Sequence, residues 1–230
     1  MGKETETNNF FSTKKEVSDF FFKTGWFLGK YFKRIFIIMV IIIVIVVSSI
    51  IFYESYLISR EKSAEIAFFS GQNYFSNQQW GIALNGDSTN YIGFLGIIEE
   101  FRGTKSANLA KAYAGICQYQ LGNYKESLKI LKSYSNKDQL FASQIIGAIG
   151  DCEVNLGNIK EGIVFFQKAA IKACSSSLSP IYLKKAAIAY ESLKDYKSAL
   201  EIYKTIKINY PQFLETNAIE KNIERAKAKL

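Results

Sequence analysis

No histidine occurs in the 230 residues of this chain. That removes the commonest general base and metal ligand. The adjacent carboxylates Glu99 and Glu100 point in different directions from a helix rather than converging, and no serine sits in a recognisable nucleophile motif. The composition therefore predicts no catalytic residue, no metal site and no cofactor: the chain reads as a non-enzyme. Proline is nearly missing, with two residues, so long, little-interrupted helices are expected. Cysteine is limited to Cys117, Cys152 and Cys174.

What the chain has in abundance is one apolar run. Ile35 to Tyr53 (IFIIMVIIIVIVVSSIIFY) holds nineteen residues without a charge, and at about 1.5 Å per residue it spans roughly 28 Å as a helix, close to a bilayer's hydrocarbon thickness. A cleaved signal peptide has a shorter apolar region and a small-x-small cleavage site, which only Ser48-Ser49 resembles here. A buried core helix would keep more polar positions than these two serines. The run is thus expected to be a transmembrane helix over 35–53. Lys3, Lys14, Lys15, Lys23, Lys30, Lys33 and Arg34 precede it, whereas Arg60 and Lys62 follow it, offset by Glu54 and Glu61. The excess of basic residues before the span predicts a cytoplasmic N-terminus and a C-terminal domain on the far side of the membrane. Residues 1–18 are polar enough to predict a disordered cytoplasmic tail. Residues 19–34 mix Phe20, Phe21, Phe22, Trp26, Phe27, Tyr31 and Phe32 with lysines, which suits the headgroup layer.

The net charge of +8 divides as +3 in the first thirty-four residues and +5 in the remainder. The later lysines are spread among glutamates along helices instead of forming one basic face, so nucleic acid is not expected as a partner.

Beyond the apolar run the chain repeats itself. Gly122-Asn123-Tyr124, Gly157-Asn158-Ile159 and Lys194-Asp195-Tyr196 align at spacings of 35 and 37. The same spacings recover small residues before the turn (Gly115, Gly150, Ala187), small residues after it (Ser127, Gly162, Ala199) and a large residue later (Leu131, Phe166, Tyr203). The rows describe two antiparallel helices per unit, with a small residue that lets the second helix approach the first. Such a hairpin cannot bury its apolar face alone and must stack on its neighbours. Units are expected at about 107–140, 143–175 and 180–211. Gly71, Gln78-Gln79-Trp80 and Ala83 fall at the same relative positions and predict a degenerate unit within 61–106. Its second helix is cut by the turn signal Asn85-Gly86-Asp87, and a further helix runs from Tyr91 to Phe101. The oxygen-rich loop 85–90 has one carboxylate, Asp87, and reads as a turn rather than a calcium site. Ile219, Ile223, Ala226 and Leu230 recur at helical spacing and predict a capping helix over 212–230. Cys117 and Cys152 occupy the same place in successive first helices, which should lie roughly 8–10 Å apart. A disulfide between them would be strained, so burial as small apolar side chains is expected.

On these residues the chain resembles the tetratricopeptide (TPR) repeat family. Tyr190, Asp195-Tyr196, Ala199, Tyr203 and Pro211 follow that family's pattern in the third unit. Gly115 with Leu121-Gly122 and Tyr124, and Gly150 with Leu156-Gly157, Phe166 and Ala169, follow it in the first two. Departures are Ser127 and Gly162 in place of alanine and the lack of tryptophan in the three first helices. The resemblance implies an all-α fold, with the transmembrane helix followed by a right-handed solenoid of helical hairpins. It also implies a concave face that takes proteins or peptides. By position in the repeat, Tyr119, Asp151, Asn155, Lys184 and Glu191 should line that face. Ala112 and Ile116 stand where a clamp for C-terminal carboxylates would need Lys and Asn, so that mode of recognition is not expected.

A short cytoplasmic tail, one span and a periplasmic TPR domain are together similar to the ancillary subunits of the SecYEG translocon (the YfgM type). Phe101-Arg102-Gly103-Thr104, Asn108-Leu109-Ala110 and Ala112-Tyr113-Ala114 are similar to that family's entry into its first regular repeat. The resemblance implies a single-pass protein of the bacterial inner membrane. It would act as a scaffold for other proteins or emerging chains at the periplasmic face, or else as a coordinator of cell-wall or outer-membrane assembly.

Overall fold

A computed structural model describes residues 4–230 apart from 88, 136–138 and 214–215, and for 4–33, 35, 139–140 and 216–217 it describes the backbone alone. The described residues form ten α-helices and no strand. They fall into two compact units, Met1–Ile58 and Ser59–Leu230.

The described part of the first unit belongs to α1 (Glu4–Ser76), which also enters the second unit. From Phe36 to Tyr53 the large apolar side chains are exposed around the whole helix. A helix apolar on every side has no single face to bury against protein, and α1 is long and apolar enough to cross a membrane. Its Ser49 hydroxyl donates to the Ile45 carbonyl at 2.8 Å, which satisfies a polar group that hydrocarbon could not. The helix takes in residues 4–18, for which composition predicts disorder, and the aromatic-basic stretch 19–34. Residues 1–3 and the side chains of 4–33 lie outside the described residues.

In the second unit, the end of α1 packs against α3 (Gly93–Glu100) and α4 (Lys105–Gln120), with α2 (Trp80–Asn85) beside it. Phe68, Phe75, Phe94 and Tyr113 form an aromatic cluster, with Phe75 and Tyr113 ring centroids 4.7 Å apart. Gly71 leaves room for the Tyr91 ring, whose hydroxyl donates to the Ala83 carbonyl at 2.7 Å. Helix α2 stops after six residues. Asp87 explains the stop. Its Oδ1 accepts the backbone N–H groups of Thr89, Asn90 and Tyr91 at 2.8–3.0 Å, and its Oδ2 accepts the Tyr74 hydroxyl at 2.7 Å. The carboxylate closes its own loop, and the N–H of Tyr91, the hydroxyl of Tyr74 and the other amides hold its pKa far below the usual carboxylate range.

Three hairpins follow: α4 with α5 (Tyr124–Lys132), α6 (Gln139–Asn155) with α7 (Ile159–Ala173), and α8 (Ser179–Ser192) with α9 (Tyr196–Asn209). Then comes α10 (Thr216–Lys227). From α4 onward each helix packs against the next in sequence. The repeat rows account for this. A Cβ on Gly115 would lie 2.4 Å from the Leu131 side chain, and one on Gly150 would lie 2.7 Å from the Phe166 ring. Ser127, where alanine is usual, is fully buried and donates to the Gly115 carbonyl at 2.7 Å. The serine Cβ fills the place of the alanine methyl, and its hydroxyl adds a bond across the hairpin. The tight turns put Gly122 and Gly157 at φ +81° and +85°, where glycine is free of strain. Lys194 holds the corresponding place at φ +62°.

Cys117 and Cys152 are both buried, in neighbouring apolar clusters, and neither is in a disulfide. Burial pushes the Cys117 thiol up to about 12, so it packs as a small apolar side chain. Cys174 is exposed at the end of α7 with φ +44°. Ile219, Ile223 and Ala226 of α10 cover Leu200, Tyr203 and Ile206 of α9.

Candidate functional site

The five residues assigned to the concave face lie on the first helices of the three hairpins: Tyr119 on α4, Asp151 and Asn155 on α6, and Lys184 and Glu191 on α8. Four of them join a chain of contacts that runs from unit to unit. Asn155 Nδ2 donates to the Tyr119 hydroxyl at 3.3 Å and to the Asp151 carbonyl at 2.8 Å. The Asp151 carboxylate accepts Lys185 Nζ at 2.7 and 2.9 Å. Glu191 Oε2 accepts Arg225 from α10 at 2.8 Å. The series thus ties α4 to α6, α6 to α8 and α8 to α10.

Lys184 is half-buried and does not meet Asp151; the neighbouring Lys185 does, with its Nζ also 5.6 Å from the centroid of the Phe166 ring. The reason is helical phase. Lys184 and Lys185 are consecutive and so point about 100° apart around α8, and it is Lys185 that turns toward Asp151. Lys185 and Arg225 are therefore the residues that the sequence reading missed. Asp151–Lys185 and Glu191–Arg225 are each 34 residues apart, whereas the units repeat at 35 and 37, so the repeat spacing does not select these pairs.

Electrostatics follow the packing. Burial, then the Asp151 charge, raises the Tyr119 pKa. The Tyr203 hydroxyl and Glu191 Oε1 are buried without a well-formed hydrogen bond. Burial, then the Glu191 charge, pushes the Tyr203 phenol up to about 12. A further tie lies behind this face. Glu153, 5% exposed, accepts Lys132 of α5 at 3.0 Å and Asn158 at 2.9 Å. Burial alone would raise its pKa, but the bonds from Asn158 and Lys132 outweigh that and leave it lowered.

Asp151, Glu191, Lys185 and Arg225 are committed to each other, while Ile181 and Ile188 of α8 and Gln144 of α6 are exposed. Among the described residues no group of three or more Cys, Asp or Glu side chains could hold a metal ion.

A tetratricopeptide-repeat family model matches residues 182–212. That span is the third hairpin, from Tyr182 in α8 past the end of α9, and it contains Tyr190, Asp195-Tyr196, Ala199, Tyr203 and Pro211. The repeat belongs to a protein-binding fold. None of the curated proteins matches the chain. Among solved structures, PcrH in complex with the chaperone binding region of PopB is similar over 56% of this chain and 99% of that one, with 20% identity and a TM-score of 0.42.

Proposed function

We propose that this protein is a membrane-tethered TPR scaffold. It holds other proteins or emerging chains against the first helices α4, α6 and α8, at the periplasmic face of a bacterial inner membrane and in association with the translocon. The observation that carries the reading is the stack of three hairpins with exposed apolar and amide side chains on its first helices. The apolar stretch of α1 supports the tether, and the basic residues before it support the orientation. Confinement near a surface raises the effective concentration of the binding face toward partners held there.

A photo-crosslinking residue at Gln144 or Ile188, introduced singly and activated in intact membranes, tests this. Each position should yield a discrete adduct that contains a translocon component or a chain in transit. Position Glu161 on the exposed side of α7 should not. The scaffold reading is lost if the two groove positions give no adduct beyond that control. Capture of cell-wall or outer-membrane assembly proteins instead would move the scaffold to a different complex. Digestion of the repeat domain by protease from the cytoplasmic side would reverse the orientation.

A further inference from the structure

Three hollows of about 350, 610 and 360 Å³, none lined by the five candidate residues, follow one another across the second unit. The first lies between the end of α3 and α4. The second lies between α4 and the loop after α5, and the third between the end of α5, α6 and the end of α7. The first and second share Gly103, Thr104 and Asn108, and the second and third share Tyr134 and Ser135. They adjoin one another through these shared walls, as a row of hollows. Its middle wall is held in place, because Asn108 brackets Ser135 with bonds to the backbone carbonyl at 2.5 Å and from the backbone N–H at 3.2 Å. A wall fixed before binding lowers the cost of ordering a ligand against it.

The floor is apolar, with Ile98 in the first hollow, Leu109 in the second, and Ile146 and Ile149 in the third. Among the described residues the rim is basic: Arg102, Lys105, Lys111, Lys132 and Lys172 contribute, and no Asp or Glu does. Three of these cations have work inside the fold. Lys132 bonds Glu153, Lys111 bonds the Ser133 carbonyl, and Lys105 stands near Glu61. Arg102 in the first hollow and Lys172 in the third are exposed and carry no ion pair among the described residues. A strip with a free cation in each end hollow and an apolar floor is complementary to a ligand with anions at its ends and apolar groups between. Successive hollows suit an extended chain, which turns every second side chain to one face at intervals of about 6.6 Å.

We propose that this row of hollows docks an extended acidic peptide segment, with apolar side chains seated in it and carboxylates over Arg102 and Lys172. The site shares no residue with the concave face, so the two can fail independently. The test uses the full chain in detergent micelles and a fluorescein-labelled peptide of leucines flanked by glutamates, read by anisotropy. The glutamate peptide should bind at least about tenfold more tightly than its glutamine counterpart, and added salt should erode that advantage. The double variant Arg102→Glu with Lys172→Glu should abolish the preference, and Lys221→Glu on exposed α10 should leave it unchanged. Both altered side chains are exposed, so the variant should melt like the parent. The salt dependence of the parent needs no variant at all. Equal binding of the two peptides would overturn the proposal, as would equal weakening by Lys221→Glu. Binding to phosphatidylglycerol vesicles with none to the peptide would overturn it in favour of a lipid surface.

Discussion

Single residues set how closely the helices of each hairpin approach. Gly150 meets the Phe166 ring with no room for a methyl group, so Gly150→Val forces the second hairpin apart. Overpacking of this kind costs typically about 1–3 kcal/mol, and Phe166→Ala should cost about 3–5 kcal/mol through the cavity it leaves. Chemical denaturation measures both, and a neutral Gly150→Val would show that the hairpin is not closed as described. Tyr203 gives the opposite case. Its ring is fully buried, and its hydroxyl lies against Glu191 and Arg225 without a well-formed hydrogen bond to either. Tyr203→Phe should therefore be neutral or stabilise by up to about 1 kcal/mol, since it removes a desolvated polar atom and keeps the ring. A loss of several kcal/mol would mean that the hydroxyl is bonded after all. These positions were legible in the sequence, because Gly150, Phe166 and Tyr203 sit in rows that recur at the repeat spacing. Lys185 was not, because a row of positions fixes which side chains are equivalent but not the phase at which one helix meets the next.

At the scale of elements, carboxylates join helices that are distant in the chain. Glu61, near the start of the second unit, accepts the N–H groups of Lys105 and Ser106 at 2.7 and 2.9 Å and the Ser106 hydroxyl at 2.7 Å. With Thr104 accepting from Ala107 at 3.0 Å, it caps the N-terminus of α4 from another helix. From sequence alone Glu61 counts only as a charge flanking the apolar run, since nothing local reveals a cap supplied from 44 residues away. Glu61→Ala should cost about 1 kcal/mol, the usual worth of a cap, and should speed hydrogen exchange in the first turn of α4 before that of α8. The pH dependence follows from the same groups. Burial opposes the charge on Glu61 and on Glu153, but their hydrogen bonds prevail and both pKa values are lowered on folding. A carboxylate with a lowered folded pKa contributes stability that is complete above its unfolded value of about 4.3 and is lost as pH falls through the folded value. The urea midpoint should thus hold from neutral pH down to about 5 and fall below it, and Glu153→Gln should flatten that fall. An unchanged acid limb in the variant would remove Glu153 from the linkage.

The whole molecule is a stack in which each unit touches its neighbours, so its cooperativity rests on the joints between them. Each joint carries a polar tie besides its apolar contacts: Glu61 on α4, Lys132–Glu153, Asp151–Lys185 and Glu191–Arg225. The stack itself was legible from the period, and so was its polar end, since Ile219, Ile223 and Ala226 could only face inward among charges. The candidate face is a set of positions on the first helices. Its chemistry was not legible in the sequence, because Asp151 and Glu191 are occupied by Lys185 and Arg225, which lie outside the five candidate residues, and Asn155 bonds Tyr119. The Asp151–Lys185 joint allows a decisive check. Side-chain exposures of 26% and 38% make it a partly screened pair, so its worth is about 1 kcal/mol or less. Asp151→Lys places two cations together and should destabilise the joint between the second and third hairpins, as should Lys185→Asp with two anions. The exchanged pair, Asp151→Lys with Lys185→Asp, restores opposite charges and should recover most of the loss. The coupling in this cycle isolates the joint from each residue's other contacts. Hydrogen exchange should show α8 and α9 opening apart from α4 and α5 in the single variants and together with them in the exchanged pair. If the two single losses simply add in the exchanged pair, the polar chain along the first helices does not couple the units, and their cooperativity rests on apolar stacking alone.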